Sequence, residues 1–374
     1  MKVTLEYVWL DGYLPEPNLR SKVKVEEMDL NSIEFKFPEW GFDGSSTMQA
    51  DTENSDRILK PVKYYSQKSF PLENSRIYVL CEVVNPDGTP HESNMRSKIE
   101  DQSDVWFGFE QEYFIKNQKT NEFLGHDTGF RLDPQGKYYC GVGHNVVGRS
   151  FAEEHMRLCM LYGMEITGIN AEVALGQWEY QIFSKGSLNA ADDLWMSRYF
   201  LYRLSENFNY EIVLHPKPIN GDWNGSGMHT NFSNERMRSL GGYEYFQSIF
   251  NTFGSRHEDH IKEYGSNNNM RLTGKHETQN IDKFSYGVGD RGASIRIPKT
   301  TAENWRGYLE DRRPASNADS YRVVNQVLKS LNTAEELMEI TMNMNSKVDI
   351  KNIDGKYGTR PADELLKEYR EEEN

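Results

Sequence analysis

Cysteine is scarce. The 374 residues contain three, Cys81, Cys140 and Cys159, with no CxxC pair, so neither a disulfide framework nor a thiolate zinc site is indicated and a reducing compartment is expected. Long hydrophobic runs are missing too. No apolar stretch approaches the roughly 18 residues of a spanning helix, and the amino-terminal segment meets Glu6 and Asp11 before an apolar region can form. The expectation is a soluble, untargeted, cytoplasmic protein with no membrane partner. Positive charge is in deficit, 43 Lys and Arg against 57 Asp and Glu. A net charge of −14 repels phosphate backbones, which argues against nucleic acid as a partner. Internal repeats and low-complexity tracts are absent, and a 37% share of hydrophobic residues excludes global disorder. At about 150 residues per domain the length suggests two or three domains.

Up to about residue 85 the chain is β-rich and punctuated by turns, with strands expected at 5–10 and 77–84. The turn cluster from Asn85 to Pro90, with Pro86, Gly88 and Pro90, marks the expected boundary. Residues 1–86 are taken as one domain and 90–374 as a second, larger one. In the latter, helical periodicity or strong helix formers predict helices at 151–164, 188–208, 243–264, 318–344 and 362–373. Between them lie segments alternating at period two.

Those alternating segments carry the chemistry. In the strand from Trp106 to Ile115, Phe107, Phe109, Tyr113 and Ile115 share one face, while Glu110 and Glu112 project together from the other. A lone Glu-x-Glu is most often a solvated face, but the pattern recurs. Glu179 sits between Gln177 and Gln181, with Glu172 seven residues upstream; His229 and Asn231 share a face in the segment from Gly227 to Phe232; Tyr308, Glu310 and Arg312 share another. If these faces line one cavity, five carboxylates meet there, and desolvating them unpaired would drive them to protonate. Divalent cations solve that problem. Oxygen-rich sites with at most one imidazole suit Mg²⁺ or Mn²⁺ rather than zinc. An arginine-rich stretch, Arg271, Arg291, Arg296, Arg312 and Arg313, adds guanidinium groups suited to carboxylates and phosphates. Metals and arginines on one pocket are the equipment of phosphoryl transfer, so ATP and an anionic acceptor are inferred. A degenerate phosphate-loop match at 143–150 has Arg149 where the motif needs Lys, and is set aside.

Seven ordered motifs then resemble one family. They are 38–47 with Asp43 in its turn, the strand from Trp106 to Glu112, Asn170 to Val173, Gln177 to Glu179, Asn224 to Ser233, Arg271 to Gly274 with His276 to Thr278, and the pair Ala293 to Pro298 and Tyr308 to Pro314. Across nearly the whole chain this is similar to the glutamine synthetases, specifically the shorter type II form. The resemblance implies an α+β fold: an N-terminal β-grasp domain, then a catalytic domain built on a barrel of antiparallel strands flanked by helices. It also implies active sites shared between subunits of a ring, in type II a decamer of two pentameric rings.

By motif position the resemblance assigns Glu112, Glu172 and Glu179 to a first metal and Glu110, His229 and Glu310 to a second, with Mg²⁺ or Mn²⁺ at two to three ions per site. Trp223, Asn224, Gly225, Arg271, Arg291 and Arg312 would bind glutamate. Trp106, Glu110, Glu179, Asn231, Ser233, Arg291, Arg296 and Tyr308 would bind ATP. Asp43 and Asp56, from the adjacent subunit, would bind and deprotonate ammonium; Glu277 would sit on a flap closing over the reaction, and Arg291 would act on the transferring phosphate. The implied reaction joins ammonium to the side-chain carboxylate of L-glutamate through γ-glutamyl phosphate. A γ-glutamyl-amine ligase would keep ATP, metals and glutamate but lose the ammonium site, and the presence of Asp43, Asp56 and Glu277 speaks against it. Lys275 stands beside His276 where the family commonly has an aromatic residue, which bears on flap closure.

Overall fold

Period-two alternation builds the first sheet. The computed structural model describes residues 2–27, 36–67, 76–126 and 133–347. Its first five strands are β1 (Lys2–Leu10), β2 (Leu19–Glu27), β3 (Trp40–Asp43), β4 (Asp56–Tyr65) and β5 (Arg76–Val84), in the order β2-β1-β5-β4-β3. All pairs are antiparallel except β1 with β5. Val3, Leu5, Tyr7 and Trp9 point to one face of β1 and pack with Leu59, Ile77, Val79 and Val83. Val8 and Leu80 point the other way, onto Met196, Tyr199 and Phe200 of the long helix described next. Residues on both faces of the sheet are buried, and the central strands read as nearly continuous apolar runs.

The second sheet has eight strands: β6 (Trp106–Asn117), β7 (Ile166–Ala171), β8 (Gln177–Lys185), β9 (Tyr210–Val213), β10 (Met228–Ser233), β11 (Tyr286–Val288), β12 (Ile295–Ile297) and β13 (Leu309–Asp311). Their order is β11-β12-β13-β10-β6-β8-β7, with β9 also on β6. Every pair is antiparallel, as expected, except β11 with β12, which is parallel. The helices are α1 (Arg149–Leu161), α2 (Ser187–Phe208), α3 (Glu235–Ser239), α4 (Tyr243–Ser255), α5 (His257–Glu263), α6 (Lys299–Asn304) and α7 (Ser320–Lys347). Phe107, Phe109, Tyr113 and Ile115 of β6 join residues of α2, α4 and α7 in the main core. The opposite face of β6 is left to the polar residues.

The helix expected at 243–264 is two helices, broken at Arg256 (φ −102°, ψ 16°). Gly254 and Ser255 are weak helix formers, and the break lets His257 and His260 both reach the buried Arg313, at 3.0 and 3.2 Å. The helix expected from 318 starts at Ser320, where Asp319 Oδ1 accepts from the Tyr321 N–H at 2.9 Å and supplies the missing partner of the first turn. The helix expected at 362–373 lies outside the described residues. In the 143–150 segment Gly148 takes a left-handed φ of 77° before α1, and the Trp178 indole donates to the Val147 carbonyl at 2.8 Å. No strand among residues 133–148 leads into it, which a phosphate-binding loop needs.

Candidate active site

Strand register brings the carboxylates together. Glu110 of β6 lies opposite His229 of β10, Glu112 opposite Glu179 of β8, and Glu310 of β13 opposite both Asn231 and Arg296. Because side chains alternate along a strand, a one-residue slip in any pair would turn one of these polar side chains into the core. Glu110, Glu112, Glu179, His229 and Glu310 line a cavity of about 520 Å³ together with Glu172, Asn224, Gly225, Arg271, Glu277, Arg291, Arg296 and Arg312. Ligand atoms of Glu110, His229 and Glu310 all lie within 4.8 Å of one another, as do those of Glu112, Glu179 and His229. Glu172 lines the same cavity but falls outside both close groups.

Hydrogen bonds hold each carboxylate in place. Glu112 accepts from the Gly227 N–H at 2.6 Å, Glu172 from Asn170 at 2.9 Å and the Val173 N–H at 3.1 Å, and Glu110 from Asn231 at 2.9 Å. Gln181 donates to Glu179 and to Asn170. Glu310, 1% exposed, receives Arg312 Nη1 at 2.5 Å and Arg296 Nη1 at 2.6 Å. Arg271 Nη2 meets His229 Nε2 at 3.0 Å, and a Cβ at Gly227 would collide with that guanidinium. Glycine is required there by close approach.

Electrostatics follow from burial. Desolvation pushes the Glu112 carboxyl up to about 7, against the opposing pull of Arg271. It pushes Glu172 to about 8, with the Glu112 charge adding to the rise, and lifts Glu179 well above the usual carboxylate range, with Glu110 next in effect. His229 is held well below the ordinary imidazole range by burial and then by Arg312 and Arg271, so the ring is neutral and has a lone pair to give. Carboxylates made hard to ionise by burial and mutual repulsion, beside a neutral imidazole, are a donor set that fits divalent cations.

A second cavity of about 530 Å³ opens beside the first and shares Glu110 and Gln181 with it. Trp106, Phe183, Asn231, Ser233 and Tyr308 form its walls, and the Arg238 guanidinium carbon lies 3.7 Å from the Trp106 ring centroid. An aromatic wall next to an arginine-lined, anion-accepting pocket suits a flat base joined to phosphates.

Three of the expected residues stay outside both cavities. Trp223 packs on His126, with ring centroids 4.8 Å apart, although its neighbours Asn224 and Gly225 line the main cavity. Asp43 and Asp56 are exposed and face each other across β3 and β4. Asp43 accepts from Ser45 Oγ at 2.6 Å and Ser46 Oγ at 2.7 Å, which keeps its carboxyl below the usual range and charged. Residues not anticipated also line the main cavity: Gln135, Tyr139, Asn170, Gln181, Lys217, His276 and Thr278. Asn170 and Gln181 stand two positions from Glu172 and Glu179, so the period-two rule could have found them. Gln135, Lys217 and Arg238 arrive from loops and a short helix, where no periodicity marks them.

Comparison with known proteins agrees with this architecture. Residues 2–86 match the family model for the glutamine synthetase beta-grasp domain, and residues 93–238 match that for the glutamine synthetase catalytic domain. The chain is 51% identical over 338 residues to the glutamine synthetase of Bradyrhizobium diazoefficiens, covering 89% of this chain and 97% of that one. It is 45% identical over 347 residues to that of Saccharomyces cerevisiae, covering 91% and 92%. A Plasmodium falciparum glutamine synthetase solved by cryo-EM shares the fold, with a TM-score of 0.71 at 17% identity over 90% of this chain and 72% of that one. The chain belongs to the glutamine synthetase family, whose members are glutamate–ammonia ligases. Among the described residues no helix is long and apolar enough to cross a membrane.

Proposed function

We propose that this chain makes L-glutamine from L-glutamate, ammonium and ATP at the cavity between β6, β8, β10 and β13, in the cytoplasm. The observation that carries the reading is the convergence of six carboxylates, the neutral His229 and four arginines on one cavity that opens into an aromatic-walled one. In this reading Trp106, Asn231, Ser233 and Tyr308 hold the nucleoside, and Arg296 and Arg291 direct its terminal phosphate inward. Asn224, Gly225, Arg271 and Arg312 hold glutamate, with Trp223 buttressing the loop of the first two. Glu112, Glu172 and Glu179 would hold one divalent cation and Glu110, His229 and Glu310 another, Mg²⁺ or Mn²⁺. Such ions, about two or three per site, would neutralise phosphate charge and raise the electrophilicity of the γ-phosphorus.

An oxygen of the glutamate side-chain carboxylate attacks the γ-phosphorus, and the bond to the β,γ-bridging oxygen breaks, releasing ADP. The arginines meet charge growing on the equatorial oxygens. Ammonium must lose a proton before it can attack the acyl carbon, and a charged Asp43 with Asp56 beside it is suited to bind the cation and take that proton. Phosphate then leaves with the electron pair of the carbon–oxygen bond. Since neither aspartate reaches the cavity of its own chain, a neighbouring subunit delivers them. Such contacts close into a ring, a decamer of two pentamers. The two sheets support a division into a β-grasp domain at 1–86 and a catalytic domain at 90–374.

The test measures Mg²⁺-dependent ADP release and glutamine formation with glutamate, with and without ammonium. Equimolar ADP and glutamine that need ammonium support the reading. Turnover only with a larger amine indicates a γ-glutamyl-amine ligase instead, and no turnover with cations bound rejects both.

A further inference from the structure

The flap that carries Glu277 is fastened at two levels. At its base, Ile281 N–H donates to the Leu272 carbonyl at 3.0 Å, Thr273 bridges to Asn280, and His257 Nε2 meets the Ile281 carbonyl at 2.7 Å. At its tip, His276 and Glu277 are consecutive residues in the left-handed region, φ 53° and 58°, which side chains with a Cβ avoid. Something at the tip must hold that conformation. Gln135 Nε2 donates to His276 Nδ1 at 2.7 Å, and Asp222 Oδ1 lies 3.3 Å from His276 Nε2. With Nδ1 accepting, the ring proton sits on Nε2 and faces the carboxylate. Burial, followed by the Lys217 charge, keeps this ring below the usual imidazole range, in keeping with a neutral tautomer set by its two partners.

The partners come from two loops that share no strand with the flap. Asp222 belongs to the loop whose end bears Asn224, and Lys217 Nζ donates to the Trp223 carbonyl within it. Gln135 belongs to a different stretch of the cavity wall. We propose that His276 is a clasp: by joining the flap to both walls at once it holds Glu277 over the cavity, and so decides whether ammonia or water reaches the activated glutamate. This rests on the function proposed above. The reaction it suppresses is hydrolysis, in which a water oxygen bonds to the acyl carbon, phosphate leaves with the electron pair of the broken bond, and the water's proton passes to solvent. The net result is ATP spent with glutamate returned. His276 is a positioning residue in this account, acting through Glu277 and the loops.

The test has two arms on the full chain, using His276→Ala and, from the wall side, Gln135→Leu. Hydrogen–deuterium exchange of the ligand-free protein follows the amides of 273–280. Exchange should rise by roughly tenfold in His276→Ala and less in Gln135→Leu, while the amides of β6 and β10 keep their protection. The second arm measures ADP released per glutamine formed. The ratio should rise severalfold in His276→Ala, a readout that simple loss of folded protein does not move. Unchanged flap exchange in both variants overturns the clasp, whatever the wild type synthesises. Faster exchange with an unaltered ratio overturns it as a gate. A wild-type protein that forms no glutamine overturns the function above, and the exchange arm still decides the clasp.

Discussion

Glu310 shows how much one side chain is asked to do. It is buried, faces His229 Nδ1 at 3.9 Å and neutralises two guanidinium groups. Glu310→Ala leaves Arg296 and Arg312 without their shared counter-ion, so glutamine formation should fall by at least about a hundredfold with a weaker Mg²⁺ response, measured by steady-state kinetics. Glu112 and Glu172 make a prediction about pH. Their folded pKa values, about 7 and about 8, lie above the ordinary 4.5. Between about 4.5 and about 8 these two carboxyls bind more protons in the metal-free folded state than in the unfolded chain, so their contribution to stability falls as pH rises through that window. Buried histidines such as His229, held neutral in the folded state, act in the opposite sense below about 6.5, so melting temperatures of the metal-free protein should decline between about 6.5 and about 8, and added Mg²⁺ should raise them more at the alkaline end than at the acid end.

At the scale of elements, the floor of the cavity depends on a residue that never faces it. Arg198 of α2 is fully buried, and its guanidinium donates to Gln111 Oε1 at 2.6 and 2.8 Å and to the carbonyls of Ser316 and Ala318 at 2.9 Å each. Gln111 in turn donates to the carbonyls of Glu112 and Ser316. This network ties β6 to the segment after β13 from behind the ligands. Arg198→Met should cost about 2 to 4 kcal/mol, read as a shift of the urea midpoint, because it strands several buried acceptors at once. In the sequence Arg198 is one of several charges on this helix, with Asp192, Asp193, Arg203 and Glu206, and nothing in its spacing announces the partners.

The whole molecule presents a different problem, since Asp43 and Glu110 stand on separate sheets. If the site is completed between subunits, Asp43→Ala and Glu110→Ala should each abolish glutamine synthesis alone. Coexpressed in equal amounts, the two should recover about a quarter of wild-type activity, since only sites pairing two intact halves work. A site completed within one chain would recover none.

Sequence by itself determined the carboxylates that line the cavity and their faces, because strand periodicity is a local property: Glu110, Glu112 and Glu179 sit where alternation places them. It also marked the arginines, whose chemistry is carried by residue type. It left undecided which of these side chains come within reach of one another, why α4 and α5 part at Arg256, and that Gln135, Lys217 and Arg238 join the two cavities. Those depend on loop paths and strand pairing between residues distant along the chain, where the interactions that decide the outcome are made only once the core beneath β6 is packed.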